Sequence, residues 1–186
     1  MEFQQTVQQR RSVRQYLDRP VPQTMIERLM DAARLAPSGS NLQPIRYIAV
    51  QSEAMREKLA PAVPQPFITK APLLLACVAD TQLFERLPEA ERSTPYNQTR
   101  LNWDEQTLRA YLYLNAGISL EHVVLCATDL GLGSCWVRQF DLELAAKALE
   151  LEERYELVAL LPVGFPANQP PMRPRIPLDE MLLKTC

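Results

Sequence analysis

Two short arginine-rich motifs stand near opposite ends of the 186-residue chain. Their polar residues are Arg10, Arg11, Ser12 and Arg14 in the first motif and Arg173 and Arg175 in the second. All but four of the 20 basic residues are arginine, whose planar guanidinium can bind a phosphate through two parallel hydrogen bonds. Taken singly, each motif is more typical of a solvated basic turn or tail. A phosphate-binding protein with almost no glycine would have to use such side chains.

Glycine and histidine are scarce, and their scarcity excludes several kinds of site. None of the five glycines falls in the G-x-G-x-x-G or G-x-x-x-x-G-K-[ST] spacing, so a glycine-cradled phosphate loop is absent. The single histidine, His122, argues against a histidine-rich metal site and against a hydrolase triad. The net charge of −2 argues against a nucleic-acid-binding protein.

The cysteines and the apolar runs predict a cytoplasmic protein that does not span a membrane. The four cysteines are scattered and form no C-x-x-C pair, which is typical of a reducing compartment. The longest apolar runs, 73–79 and 157–163, are far shorter than the roughly 20 residues that cross a bilayer.

Two loops have the composition to contact a polar heterocycle. The first loop is a turn that contains Pro37, Ser38, Gly39, Ser40 and Asn41. Its hydroxyls and amide could hydrogen-bond a ring, although a turn closed by local bonds is the alternative. In the second loop, Gly131 is placed to end a helix in the left-handed conformation. Gly133 follows so soon that we expect the backbone there to approach something flat and bulky.

The segment 82–104 is polar and has no clear periodicity. It carries three aromatic residues, Phe84, Tyr96 and Trp103, which are suited to stacking against a flat molecule. Long stretches of this kind in compact domains are usually functional lids or disordered segments. We therefore predict a variable lid whose aromatics line a substrate pocket. The alternative is a surface excursion that these aromatics merely attach to the core.

The remaining pattern predicts one domain, 1–186, of mixed helices and strands. Helices are predicted from 21 to about 36, over 52–59, over 105–130 and over 141–149, and strands over 45–50, 73–79, 135–137 and 157–163. The proline-rich segment 61–72 is expected to be irregular, and 166–186 to form an extended tail. The helix 105–130 is apolar nearly all round, so it must be buried in the core or against a second subunit.

Four motifs occur in a characteristic order: R-R-S-x-R at 10–14, P-S-G-S-N-x-Q-P at 37–44, G-L-G-S-C-W-V at 131–137 and R-P-R-x-P-L-D-E at 173–180. Together they resemble the FMN-dependent nitroreductase family over most of the chain, from about Val7 to Leu183. The resemblance implies an α+β homodimer with a mostly antiparallel central sheet flanked by helices. It also implies a long buried helix at the dimer interface and one FMN in each of two sites there.

The resemblance also implies residue roles. The basic residues Arg10, Arg11, Ser12, Arg14, Arg173 and Arg175 would hold the FMN phosphate and ribityl chain. The turn residues Pro37, Ser38, Ser40 and Asn41 would reach the flavin of the other subunit. The backbone of Trp136, Val137, Arg138 and Gln139 would lie along the isoalloxazine ring, with Gln65 the nearest candidate for the pyrimidine edge. Gln139 replaces a glycine of many relatives, and Asn115 stands where several have an acid, which leaves redox tuning and substrate fit open.

The implied activity is that of an FMN-dependent oxidoreductase. NAD(P)H would reduce the flavin and leave, and a nitroaromatic, quinone or similar small acceptor would then enter the same pocket. The flavin would supply the chemistry, so no catalytic side chain and no metal are expected. The alternatives are a specialised flavin-fragmenting or dehalogenating member of the family, a non-catalytic flavin carrier or sensor, and a phosphate-binding interaction protein without flavin.

Overall fold

The computed structural model describes residues 1–186 and contains one four-stranded antiparallel sheet with helices on both faces. The strands are β1 (Ile45–Val50), β2 (Leu73–Asp80), β3 (Gly133–Ser134) and β4 (Tyr155–Gly164), in the spatial order β1-β2-β4-β3. The helices are α1 (Phe3–Gln9), α2 (Gln23–Leu35), α3 (Glu53–Leu59), α4 (Phe67–Lys70), α5 (Glu89–Arg92), α6 (Pro95–Leu101), α7 (Glu105–Asp129), α8 (Leu142–Ala148) and α9 (Leu178–Met181). The predicted α+β architecture with a mostly antiparallel sheet is confirmed.

Strand β2 lies at the centre of the protein, and all eight of its residues are buried. Because side chains alternate along a strand, its residues belong to two different cores. Leu73, Leu75 and Cys77 face a core with α2 and α7, whereas Leu74 and Ala76 face a second core with α3, α4 and α8. A continuous apolar run is therefore what this covered strand requires, as the sequence predicted.

Helix α7 begins and ends through local hydrogen bonds. Asp104 caps its first turn by accepting from the Thr107 amide at 2.7 Å. At its end Gly131 has a φ of 74°, and the Leu132 amide donates to the Ala127 carbonyl at 2.8 Å. This is the left-handed ending that the sequence predicted. By length and apolar composition alone α7 could cross a membrane, but its buried residues form the core against α2 and β2, and core helices pass the same test.

Several predicted segments differ in the structure, among them the tail 166–186, which contains the helix α9. The strand predicted over 135–137 is wrong: the ladder covers Gly133–Ser134, and Val137 makes only an isolated bridge to Leu160. The ladder stops because the next partner on β4 is Pro162, which has no amide hydrogen to donate. The segment expected to be irregular contains α4, which follows Pro66 at its N-cap, a position where proline is tolerated.

The segment 82–104 is also more regular than its sequence suggests. It holds a short 3₁₀ turn at Phe84–Arg86 followed by α5 and α6. Thr94 caps α6 and Pro95 occupies its first turn. Pieces this short cannot display a helical repeat, so their periodicity was invisible in the sequence. Helix α1 was not predicted, because it is polar and buries only Thr6.

Candidate functional site

The two arginine-rich motifs, 163 positions apart at Arg10 and Arg173, line one cavity of about 210 Å³. Its wall contains every predicted phosphate-binding residue: Arg10, Arg11, Ser12, Arg14, Arg173 and Arg175. Pro170, Pro171 and Met172 complete the wall, and no acidic residue belongs to it. The cavity therefore concentrates positive charge from both ends of the chain.

The motifs meet because residues 15–17 run beside residues 165–168. The Leu17 amide donates to the Phe165 carbonyl at 2.8 Å, and the Ala167 amide donates to the Gln15 carbonyl at 3.0 Å. The Tyr16 hydroxyl donates to the carbonyls of Val13 at 2.7 Å and Pro162 at 3.1 Å. Burial raises the pKa of Tyr16 well above its ordinary value, so it remains a donor at neutral pH. No pattern in the sequence indicates this anchoring role of Tyr16.

Gly133 lets the arginine motif lie against the edge of the sheet. Ser12 bridges Ser134, and the Val13 amide donates to the Ser134 carbonyl at 2.9 Å. A Cβ atom on Gly133 would lie 2.6 Å from Val13 Cγ2. The predicted close approach at Gly133 therefore exists, and the neighbour within the chain is the Val13 side chain.

The arginines of this cavity carry no internal counter-charge. None of the five forms an ion pair, whereas Arg28, Arg34, Arg86, Arg92, Arg109 and Arg154 each pair with a carboxylate. Arg11 donates through Nη1 to the carbonyls of Gln8 and Arg10, but its buried Nε has no hydrogen-bond partner in the chain. A cluster of unpaired guanidinium groups with an unused buried donor is suited to binding a phosphate.

A second cavity of about 170 Å³ shares Arg14 with the first. Its wall includes all the residues predicted to contact the flavin ring from this subunit: Gln65, Trp136, Val137, Arg138 and Gln139. Cys135 also lines it. Burial raises the pKa of the Cys135 thiol, against the opposing effect of Arg14 and Arg10, so this cysteine is a neutral thiol rather than a nucleophile. Arg14 thus joins a phosphate-sized cavity to a cleft lined by backbone and an amide.

The turn that contains Pro37, Ser38, Ser40 and Asn41 lies elsewhere in the chain. Pro37 and Ser38 line a separate cavity of about 340 Å³ between α2, β1 and α7. Ser40 and Asn41 have positive φ angles of 52° and 55°, a region that such residues seldom occupy. The Ser38 hydroxyl closes the turn by accepting from the Gln43 amide at 2.9 Å. The predicted site residues thus fall into two groups within one chain, and the turn is in the second.

Two of the three predicted pocket residues, Phe84 and Trp103, form an aromatic cluster with Tyr111, and Tyr96 meets this cluster through the Arg100 guanidinium. Trp103 packs edge-on against Phe84 with ring centres 5.8 Å apart, and its ring centre is 5.4 Å from that of Tyr111. Phe84 is buried beneath the others, whereas Tyr96 is 61% exposed. The Tyr111 hydroxyl donates to the Gly39 carbonyl at 2.9 Å, so the cluster is attached to the turn.

The Nitroreductase family profile matches residues 7–165. The chain belongs to the nitroreductase family. A Bacillus subtilis protein named FMN reductase [NAD(P)H] is 32% identical over 176 residues, covering 92% of this nitroreductase and 68% of that protein. A nitroreductase family protein from Streptococcus pneumoniae superposes with a TM-score of 0.87 at 26% identity, covering 99% of this chain and 100% of that one.

The fold is shared with a more distant nitroreductase. A protein from Exiguobacterium sibiricum, solved in complex with FMN, superposes with a TM-score of 0.88 at 22% identity. The alignment covers 98% of this chain and 96% of that chain. This similarity, together with the family match, confirms the predicted fold.

Asn115 is the residue of this nitroreductase that fixes the turn to α7. It is 3% exposed, its Oδ1 accepts from the Gly39 amide at 3.1 Å, and its Nδ2 donates to the Tyr111 carbonyl at 2.7 Å. The amide therefore gives the turn a neutral anchor on α7. A lone amide within an apolar helix was the available signal, because a buried amide must find partners.

We expect Asn115→Leu to lower the free energy of unfolding by about 1–3 kcal/mol, because it leaves the Gly39 amide unpaired in a part-buried site. Urea denaturation measures the change. Gln106→Leu is the matched control, because it makes the same amide-to-leucine change at an exposed position of α7. Equal stability of Asn115→Leu and the parent protein would contradict an anchoring role.

Proposed function

We propose that this nitroreductase is an FMN-dependent oxidoreductase that passes electrons from NAD(P)H to a small acceptor such as a nitroaromatic or a quinone. The observation that carries the proposal is the cavity of unpaired arginines, which Arg14 joins to the cleft of Gln65 and residues 136–139. The Bacillus subtilis relative is named for reduction of FMN by NAD(P)H, and the Exiguobacterium structure contains FMN. The name of the first protein and the FMN in the second structure support FMN as the cofactor of this nitroreductase.

The residues fit the two halves of FMN. The arginines would bind the phosphate, and residues 136–139 with Gln65 would hydrogen-bond the ring system. The turn residues, of which Pro37 and Ser38 line the other cavity, would reach the flavin of a second subunit. When bound, FMN supplies two-electron transfer between the nicotinamide and the acceptor. The chain's own task is to bind and orient the reactants, and its unpaired cations favour negative charge in the site.

The experiment is an absorption spectrum of the purified protein followed by steady-state oxidation of NAD(P)H. We expect a flavin band in the visible and NAD(P)H oxidation that depends on an added uncharged quinone. A flavin band without NAD(P)H oxidation would instead indicate a flavin carrier or sensor. Protein that neither contains nor binds FMN would contradict the proposal.

We further propose that the active species is a homodimer. Leu114 on α7 is 65% exposed and Leu183 in the tail is 93% exposed. Exposed leucines of this kind, on the core helix and on an extended tail, favour a partner surface. Obligate interfaces bury on the order of 2,000–5,000 Å² in total, which would cover both regions.

Sedimentation at micromolar concentration tests the homodimer. We expect a species of twice the 21.2 kDa chain mass, and we expect Leu114→Glu to shift it toward the monomer. A single species of monomer mass that still binds FMN would contradict the proposal.

We assign the enzyme to the cytoplasm. All four cysteines, Cys77, Cys126, Cys135 and Cys186, are free thiols. Free thiols are typical of proteins in reducing compartments.

A further inference from the structure

Arg100 is a buried cation without a carboxylate partner. It lies in α6 within the segment 82–104 and is only 5% exposed. The other two arginines of the segment, Arg86 and Arg92, are exposed and pair with Asp80 and Glu89. Arg100 instead donates through Nη1 to the neutral Asn97 Oδ1 at 3.1 Å. A buried charge that lacks a counter-ion is unfavourable unless other groups offset it.

Aromatic rings offset part of this cost. The guanidinium carbon lies 4.0 Å from the ring centre of Tyr96 and 5.5 Å from that of Tyr111, with Phe84 and Trp103 both at 5.7 Å. Such rings attract a cation through their faces. The rings do not accept hydrogen bonds from the guanidinium N–H groups in the way that an oxyanion does.

Several Arg100 donors remain available. Nε and Nη2 have no hydrogen-bond partner in the chain. They are not enclosed, because the only fully buried side-chain nitrogens without a partner are Arg11 Nε and Arg56 Nε. Both nitrogens therefore keep a small area in contact with solvent. Tyr96, whose ring centre lies 4.0 Å from the guanidinium carbon, is 61% exposed.

We propose that Arg100 forms a subsite for an oxyanion on the electron acceptor, and that the preferred acceptors include aromatic carboxylates. The guanidinium would bind the carboxylate, and the exposed ring of Tyr96 would pack against the aromatic ring. Tyr111 connects this subsite to the turn through the Gly39 carbonyl. The inference rests on the proposed function, because that function makes the turn part of the flavin site.

Two measurements test the subsite. The first is the affinity of the FMN-loaded protein for benzoate, which cannot be reduced as an acceptor, by calorimetry. The second compares KM for 4-nitrobenzoate with KM for uncharged 4-nitrobenzyl alcohol. We expect Arg100→Met to weaken benzoate binding about tenfold and to raise KM for 4-nitrobenzoate alone by a similar factor. Arg92→Met, which removes an exposed and paired arginine of the same segment, should change neither.

The outcomes separate this proposal from the proposed function. Equal rises in KM for both acceptors, or unchanged benzoate affinity in Arg100→Met, would overturn the subsite and leave Arg100 a structural residue. The subsite would also be overturned if the wild-type protein did not bind benzoate, for example because a carboxylate of the partner subunit neutralises Arg100. If the wild-type protein oxidised NAD(P)H with no acceptor, the proposed function would be overturned. Even in that case, selective loss of benzoate binding in Arg100→Met would support an oxyanion site at Arg100. Arg100→Gln provides a second neutral variant if Arg100→Met does not fold.

Discussion

Replacing Arg14 with Ala is expected to raise the Kd for FMN by about tenfold or more. A charge-assisted hydrogen bond to phosphate contributes about 1.5–3 kcal/mol, and each 1.4 kcal/mol corresponds to about a factor of ten. Arg14 lines both the phosphate cavity and the cleft beside Trp136, so its removal affects both halves of the cofactor. Arg175→Ala, at the other end of the chain, should have a comparable effect.

Quenching of flavin fluorescence during titration measures both Kd values. Arg19→Ala is the matched control, because Arg19 is close in sequence but stacks on Phe165 at 3.9 Å and lies outside the cavity. Its Kd should equal that of the parent protein. Unchanged FMN affinity in both Arg14→Ala and Arg175→Ala would refute the phosphate clamp.

Gly133→Ala is expected to lower both stability and FMN affinity. The new Cβ would lie 2.6 Å from Val13 Cγ2 and 2.7 Å from Val13 Cβ, so the strand or the motif must shift. Overpacking of this kind typically costs about 1–3 kcal/mol. Because Val13 stands between Ser12 and Arg14, a shift there also displaces the phosphate-binding side chains.

Urea denaturation without added FMN and a titration with FMN measure the two effects of Gly133→Ala. Gly117→Ala in α7 is the control, and we expect it to raise the free energy of unfolding. Its new Cβ would meet nothing within 4 Å, and alanine in a helix is favoured over glycine by about 0.5–1 kcal/mol. A Gly133→Ala protein as stable as the parent would show that the contact with Val13 is not restrictive.

The elements that could be predicted are those whose signal is local and strong. The apolar run of β2 and the long apolar α7 between Asp104 and Gly131 follow directly from composition and capping residues. The error at 135–137 had a distant cause, because Pro162 on another strand ends the ladder there. No local pattern could reveal that. Helices as short as α5 and α6 lack enough turns to produce a repeat.

For the candidate site, too, some features could be predicted from the sequence and others depend on the fold. Residue types predicted an arginine-based anion site, and the resemblance to the family supplied its link to FMN. Only the fold brings Arg14 and Arg173 together, through the pairing of residues 15–17 with 165–168. Tyr16 and Arg100 were missed, and Asn115 was noted without its anchoring role, because these roles depend on partners that are distant in the sequence or on burial.

The order of strands in the sheet determines when this protein can fold during synthesis. Strand β4 is the last to leave the ribosome, yet it lies between β2 and β3. Until residue 164 emerges, β2 can pair only with β1, and its other apolar edge has no partner. Contacts between strands so far apart slow folding, and an unpaired apolar edge invites aggregation or capture by a chaperone. Arg173 and Arg175 emerge later still, so a nascent chain cannot complete the arginine-lined cavity until after the sheet itself is complete.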